Sequence, residues 1–149
     1  MSVQLPVEGA CMCGECRVRV SAPPLLTMAC HCTGCQKLSA SAFSLTVMFP
    51  AQAFAVIAGK PQIGALHGDT PYFYCPHCLN WLYTAPRSAP VINVRPSLFG
   101  IAAWSTPFIE SFVSEKLSWA STPARYSFDR FPAPEQYGML LSEYADQAG

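Results

Sequence analysis

Eight cysteines, gathered into three tight groups, constrain this chain more than any other feature. Cys11-Met12-Cys13 comes first, with Cys16 close behind. Cys30-His31-Cys32-Thr33-Gly34-Cys35 is second, and Cys75-Pro76-His77-Cys78 third. A C-x-x-C turn lets two thiolates approach one ion while backbone amides point at the sulfurs, and zinc takes four such ligands in a tetrahedron at about 2.3 Å. In a C-x-C pair the two side chains project from one side of an extended segment and can meet at one metal. The opening residues Met1-Ser2-Val3-Gln4-Leu5-Pro6 lack the basic and apolar regions of a signal peptide, so a cytoplasmic, reducing location is expected. Disulfides are disfavoured there, and the cysteines read as metal ligands or reactive thiols. Cys75-Pro76-His77-Cys78 also has the shape of a thiol oxidoreductase site. Such a site needs a helix directly after it, whereas Leu79-Asn80-Trp81-Leu82-Tyr83 reads as a strand. An iron–sulfur cluster is a further thiolate-held group that spacing leaves open.

Spacing does not by itself assign ligands to ions. Cys13 and Cys16 form another C-x-x-C, which with Cys75 and Cys78 would make a ribbon-like site of four thiolates. Against this, Cys16-Arg17-Val18-Arg19-Val20 alternates, with Cys16, Val18 and Val20 on one face and both arginines on the other. That is a half-buried strand, and Cys16 reads as a small apolar core residue. Seven ligands then remain, enough for a closed four-ligand site and a three-ligand site with an open position.

The length of 149 residues fits a single domain. Nine Lys+Arg balance nine Asp+Glu, and no basic run appears, so neither nucleic acid nor a membrane surface is an expected partner. A small molecule or another protein surface fits better. The uncharged stretch from Leu38 to Gly59 is long enough to cross a bilayer, but it holds several Ser and Thr, with Pro50 near its middle. It reads as two buried strands joined by a turn at Pro50-Ala51-Gln52. Fourteen prolines cut the chain into short segments and favour strands over long helices. Leu25 to Cys32 reads as a strand, followed by a helical turn over Cys35-Gln36-Lys37-Leu38. Ala42 to Phe49, Phe54 to Ile57, Tyr72 to Tyr74 and Val91 to Val94 read as interior strands, and Phe108 to Val113 as a further one. One helix, about 134–146, is expected at the end. Pro134 and Glu135 suit its first turn, and Tyr137, Leu140, Leu141 and Tyr144 form one apolar face.

Taken together, Gly9-Ala10-Cys11-Met12-Cys13-Gly14, Cys30 to Lys37 and Phe73-Tyr74-Cys75-Pro76-His77-Cys78 resemble the glutathione-dependent formaldehyde-activating enzyme family, which shares its domain with the centromere protein V group. Asn93-Val94-Arg95 and Pro107-Phe108-Ile109, running to Lys116 and Trp119, agree more loosely. The match spans about residues 7–132. The resemblance implies a mainly β, Mss4-like fold of short twisted sheets around two zinc sites. Carried onto matching positions, Cys11, Cys13, Cys75 and Cys78 form the structural site, while Cys30, Cys32 and Cys35 hold a catalytic ion. It also implies a small-molecule thiol substrate, glutathione, and a carbon–sulfur lyase reaction in which glutathione and formaldehyde give S-hydroxymethylglutathione. The alternative is a non-catalytic zinc-binding module for protein partners. Two departures stand out: Leu79 replaces a Gly after the last cysteine, and Ser39-Ala40 replaces Ser-Gly. A glycine lost at a turn bears on backbone geometry but removes no ligand.

Other residues carry less. His31, between two ligands in an extended segment, points away from their ion. His77 is expected at an exposed knuckle tip and His67, beside Gly68, in a loop. Lys37, next to the second group, reads either as the contact for a glutathione carboxylate or as a solvated charge. Trp81, Trp104 and Trp119 read as core. Neither a P-loop, a dinucleotide fingerprint nor a serine-centred elbow is present.

Overall fold

Short segments bounded by prolines and turns build this fold, and nearly all of them are extended. The computed structural model describes residues 3–148, so the leader expectation, which begins at Met1 and Ser2, lies partly outside the described residues. In chain order the elements are β1 (Val7–Ala10), β2 (Arg17–Val20), β3 (Leu26–Cys30), α1 (Thr33–Ser39), β4 (Ser44–Pro50), β5 (Phe54–Ala58), β6 (Gln62–His67), β7 (Thr70–Tyr74), β8 (Trp81–Thr84), β9 (Val91–Val94), β10 (Ile109–Ser111), β11 (Tyr126–Ser127) and α2 (Tyr137–Ala148). Strands β1-β2-β5 form an antiparallel three-stranded sheet. The other eight run in the order β11-β10-β3-β4-β9-β8-β7-β6, antiparallel except where β10 lies parallel to β3 and β11. The architecture is thus mainly β with a C-terminal helix, the Mss4-like arrangement that the resemblance implies.

Alternation explains the first sheet. Val18 and Val20 are buried, while Arg17 and Arg19 face solvent and meet Glu8 of β1. The buried side packs with Val47, Phe49, Leu82 and Val94 of the large sheet and with Trp104. A second core, of Leu26, Phe108 and Ile109, is closed by Leu140 and Tyr144 of α2. The expected stripe on this helix therefore holds, with Leu141 packed beside it. Complete burial of a side chain the size of Leu140 contributes about 1.5–3 kcal/mol.

Several boundaries move. The strand expected over Leu25 to Cys32 ends at Cys30, because Cys32 already caps α1 by accepting from the Cys35 N–H. The Leu38–Gly59 stretch becomes the end of α1, β4, a single 3-10 turn over Ala51–Ala53 and β5. Among the described residues no helix is long and apolar enough to cross a membrane. Phe54 to Ile57, which reads as an interior strand, is in β5. It lies at an edge, pairing only with β2, and Ala55 and Val56 are exposed. Strand β6 is also an edge, open on both faces and without the alternation that marks a half-buried strand.

The two positions that lack the family's glycine both take left-handed backbone: Ala40 at φ 49° and Leu79 at φ 60°. The turn geometry is kept, and a side chain bears the strain.

Candidate metal centres

The first and third cysteine groups meet. Cys11 and Cys13 lie in the β1–β2 turn, Cys75 and Cys78 in the β7–β8 turn, and all four sulfurs fall within 4.8 Å of one another. The Met12 N–H donates to Asn80 Oδ1 at 3.0 Å, tying one turn to the other. Cys11 and Cys13 Sγ are 3.5 Å apart, and Cys13 and Cys75 Sγ 3.7 Å. Four sulfurs about 2.3 Å from a common centre would stand about 3.8 Å apart, so the group fits a tetrahedral ion. None of the eight cysteines is in a disulfide. Cys16 supplies a backbone N–H to Cys11 Sγ at 3.3 Å, yet its thiol is outside the group and packs in the core. Burial and the neighbouring Cys75 push that thiol up to about 12.

Cys30, Cys32 and Cys35 form the second group, again within 4.8 Å of one another. Cys30 ends β3 opposite Ser44 of β4, and the Cys35 N–H donates to Cys32 Sγ at 3.2 Å. Both groups crowd thiols that cannot all ionise together. Burial raises Cys11, but the Cys16 N–H and neighbouring sulfurs outweigh it and bring Cys11 down to about 6. Cys35 holds Cys30 down to about 6 against burial, while Cys35 itself is driven upward by Cys30 and then by burial. A divalent cation among the sulfurs removes that conflict, which is how thiolate sites come to depend on metal.

His31 turns the other way from its flanking cysteines, as its extended backbone requires, and is wholly buried. Its Nε2 lies 2.8 Å from Glu110 Oε2, and its ring meets Phe43 edge-on at 5.3 Å. Glu110 also accepts from Thr122 Oγ1 and Ser127 Oγ, each at 2.7 Å. His31 Nδ1 has no partner. Nothing in the sequence pairs Glu110 with His31, which stand 79 positions apart. The parallel pairing of β10 with β3 makes them neighbours.

Further residues gather beside the three-cysteine group. His67 ends β6 rather than lying in a loop, and its ring covers Gly34, where an added Cβ would be 2.7 Å from Cε1. Its Nδ1 is 3.3 Å from the Tyr72 hydroxyl, and Tyr72 packs on Trp81, with ring centroids 4.9 Å apart. Lys37 lies on the far side of α1 from Cys35. Two positions beyond Cys35, it is turned about 200° around α1. There it lines a surface groove with Gln36, Phe43, Leu117 and Trp119. Trp81 and Trp104 are buried as expected, but Trp119 is 75% exposed and borders that groove. His77 is exposed, 3.9 Å from Glu15.

A crystal structure of a Rhodobacter sphaeroides protein superposes with a TM-score of 0.54 at 17% identity, covering 64% of this chain and 90% of that one. At such identity the likeness concerns the fold alone. No curated protein sequence matches the chain. The glutathione-dependent formaldehyde-activating enzyme family matches residues 6–115, a span that holds every cysteine of both groups, and the chain belongs to that family.

Proposed function

We propose that this protein is a zinc-dependent carbon–sulfur lyase-type enzyme acting on a thiol adduct, with glutathione and formaldehyde giving S-hydroxymethylglutathione as the reaction its family points to. The difference in ligand number carries this reading: four sulfurs converge in one group and only three in the other. Four thiolates close a structural site, whereas three leave a position for substrate. Cys30, Cys32 and Cys35 would hold a zinc ion, whose Lewis acidity would keep an incoming thiol in its nucleophilic form. In the reaction a sulfur–carbon bond forms, the carbonyl π pair moves to oxygen, and the thiol proton ends on that oxygen. No oxidant or reductant is consumed.

The chain's own residues divide the remaining work. The His31–Glu110 pair holds the loop between Cys30 and Cys32 to the β10 strand. Burial first, and then the charge of Cys35, Cys32 and Cys30, keeps the Tyr72 hydroxyl protonated. It is thus a hydrogen-bond donor suited to the oxygen on which charge develops. Lys37 and the groove beside α1 offer a cation and apolar surface for the body of the thiol. A reducing, cytoplasmic setting would keep both cysteine groups competent to bind metal. The rival reading, a non-catalytic zinc module, draws on the exposed Trp119 and Leu117 along the same groove.

Metal analysis and turnover separate the two. The enzyme reading expects two zinc ions per chain, one readily chelated, and Cys30→Ser folded but inactive. Full turnover by Cys30→Ser would overturn it.

A further inference from the structure

Arg95 follows β9, and its side chain is held in place. Its Nη1 donates to the Leu45 carbonyl at 2.7 Å, and its Cζ lies 4.3 Å from the centre of the Trp81 ring. Leu45 adjoins Ser44, the cross-strand partner of Cys30. Trp81 in turn packs on Tyr72, Tyr72 reaches His67, and His67 covers Gly34 between Cys32 and Cys35. These contacts link the guanidinium, through Leu45 on one side and Trp81, Tyr72 and His67 on the other, to the segments that carry the three cysteines. Burial disfavours its charge.

An anion is the missing partner. Among the described residues Glu8 pairs with Arg17 and Arg19, Glu110 with His31 and Glu143 with Arg125, while no carboxylate lies within 4.0 Å of Arg95. A guanidinium carries five N–H donors, and here one bond, to Leu45, is formed. The indole Nε1 of Trp81 has no acceptor either. A flat guanidinium fixed on an aromatic face, with donors to spare, suits two-pronged recognition of a carboxylate.

We infer that Arg95 binds the carboxylate of a thiol substrate whose sulfur enters the Cys30, Cys32 and Cys35 site, so that the protein selects mercaptocarboxylates over neutral thiols. This rests on the reading of that site as open to a thiol. The test loads the full chain with cobalt(II), whose absorption reports a new thiolate ligand. ω-Mercaptocarboxylates of graded length are then titrated beside the ω-mercaptoalcohols of matching length. Charge-assisted hydrogen bonding predicts a preference on the order of 10- to 100-fold for the best-fitting acid over its alcohol. In Arg95→Gln that preference falls to about one while the alcohols bind as before. Arg95→Lys keeps a reduced preference, because an ammonium is a point charge without the planar fork. An undiminished preference in either variant overturns the inference, and Arg95→Lys decides alone if Arg95→Gln does not fold. Equal weakening of acids and alcohols overturns it too, since Arg95 then only balances the cysteine charge. Should neither thiol alter the cobalt spectrum of the parent protein, the open-site reading itself fails.

Discussion

Replacing Glu110 by Ala removes the acceptor of three hydrogen bonds at once, from His31 Nε2 at 2.8 Å and from Thr122 Oγ1 and Ser127 Oγ at 2.7 Å. The two hydroxyls are only part-buried and can turn to water. His31 cannot: its ring is wholly buried, and Nδ1 is already without a partner. Facing an ionised carboxylate, Nε2 must carry the proton, so the variant leaves a buried donor unpaired, at about 1–3 kcal/mol. Adding the hydroxyl bonds and the space the side chain vacates, the expected loss is about 3–5 kcal/mol, in the range found when one partner of a buried pair is removed. Glu110→Gln keeps the shape and one acceptor and should cost about 1–2 kcal/mol. Equilibrium denaturation of the metal-loaded chain measures both. The pH dependence gives an independent check. Burial raises the Glu110 carboxyl, but the bonds from Thr122, Ser127 and His31 outweigh it and hold it below the usual range. A folded value below the unfolded one, about 4.3, means the contribution is complete above that pH and is lost as pH falls toward the folded value. Glu110→Gln should therefore flatten the acid limb of the stability profile. A loss under about 1 kcal/mol for Glu110→Ala, with that limb unchanged, would refute the assignment of His31 as a buried donor.

Other expectations follow from the same geometry. Leu79→Gly should stabilise the chain by about 0.5–1 kcal/mol, because Leu79 is 70% exposed and loses strain at φ 60° without losing packing; a lower denaturation midpoint would contradict this. Cys16→Ala should leave metal content unchanged while costing about 1–2 kcal/mol, since its thiol belongs to the core; loss of one metal per chain would return Cys16 to the ligand set. Metal uptake by the three-cysteine group at pH 7.5 should release about two protons, because Cys30 is already held down to about 6 while Cys32 and Cys35 are raised. Calorimetry in buffers of different ionisation enthalpy counts them, and release of three or none would show that the thiols do not share charge in this way.

Whatever depends on local spacing is legible in the order of the residues. The C-x-C and C-x-x-C groups announce thiolate sites, the alternation from Cys16 to Val20 takes Cys16 out of them, and the stripe through Leu140 and Tyr144 marks the helix that closes the second core. Residues one to four apart are placed by backbone geometry, so their relation can be read directly. The assignment of four sulfurs to one centre and three to the other depended on family resemblance, because residues 62 positions apart, such as Cys13 and Cys75, meet only through sheet pairing. Glu110 beside His31, Arg95 stacked on Trp81, and His67 over Gly34 left no local signal at all. Trp119 and β5 went the other way: apolar character marked them as interior, but tertiary pairing put β5 at an edge and left Trp119 on the rim of a groove. Hydrophobicity says that a side chain gains by burial, and only the packed structure decides whether there is a neighbour to bury it. So the cysteine groups that could hold a metal were written in the order of the residues, while their surroundings arise from strands distant in the chain.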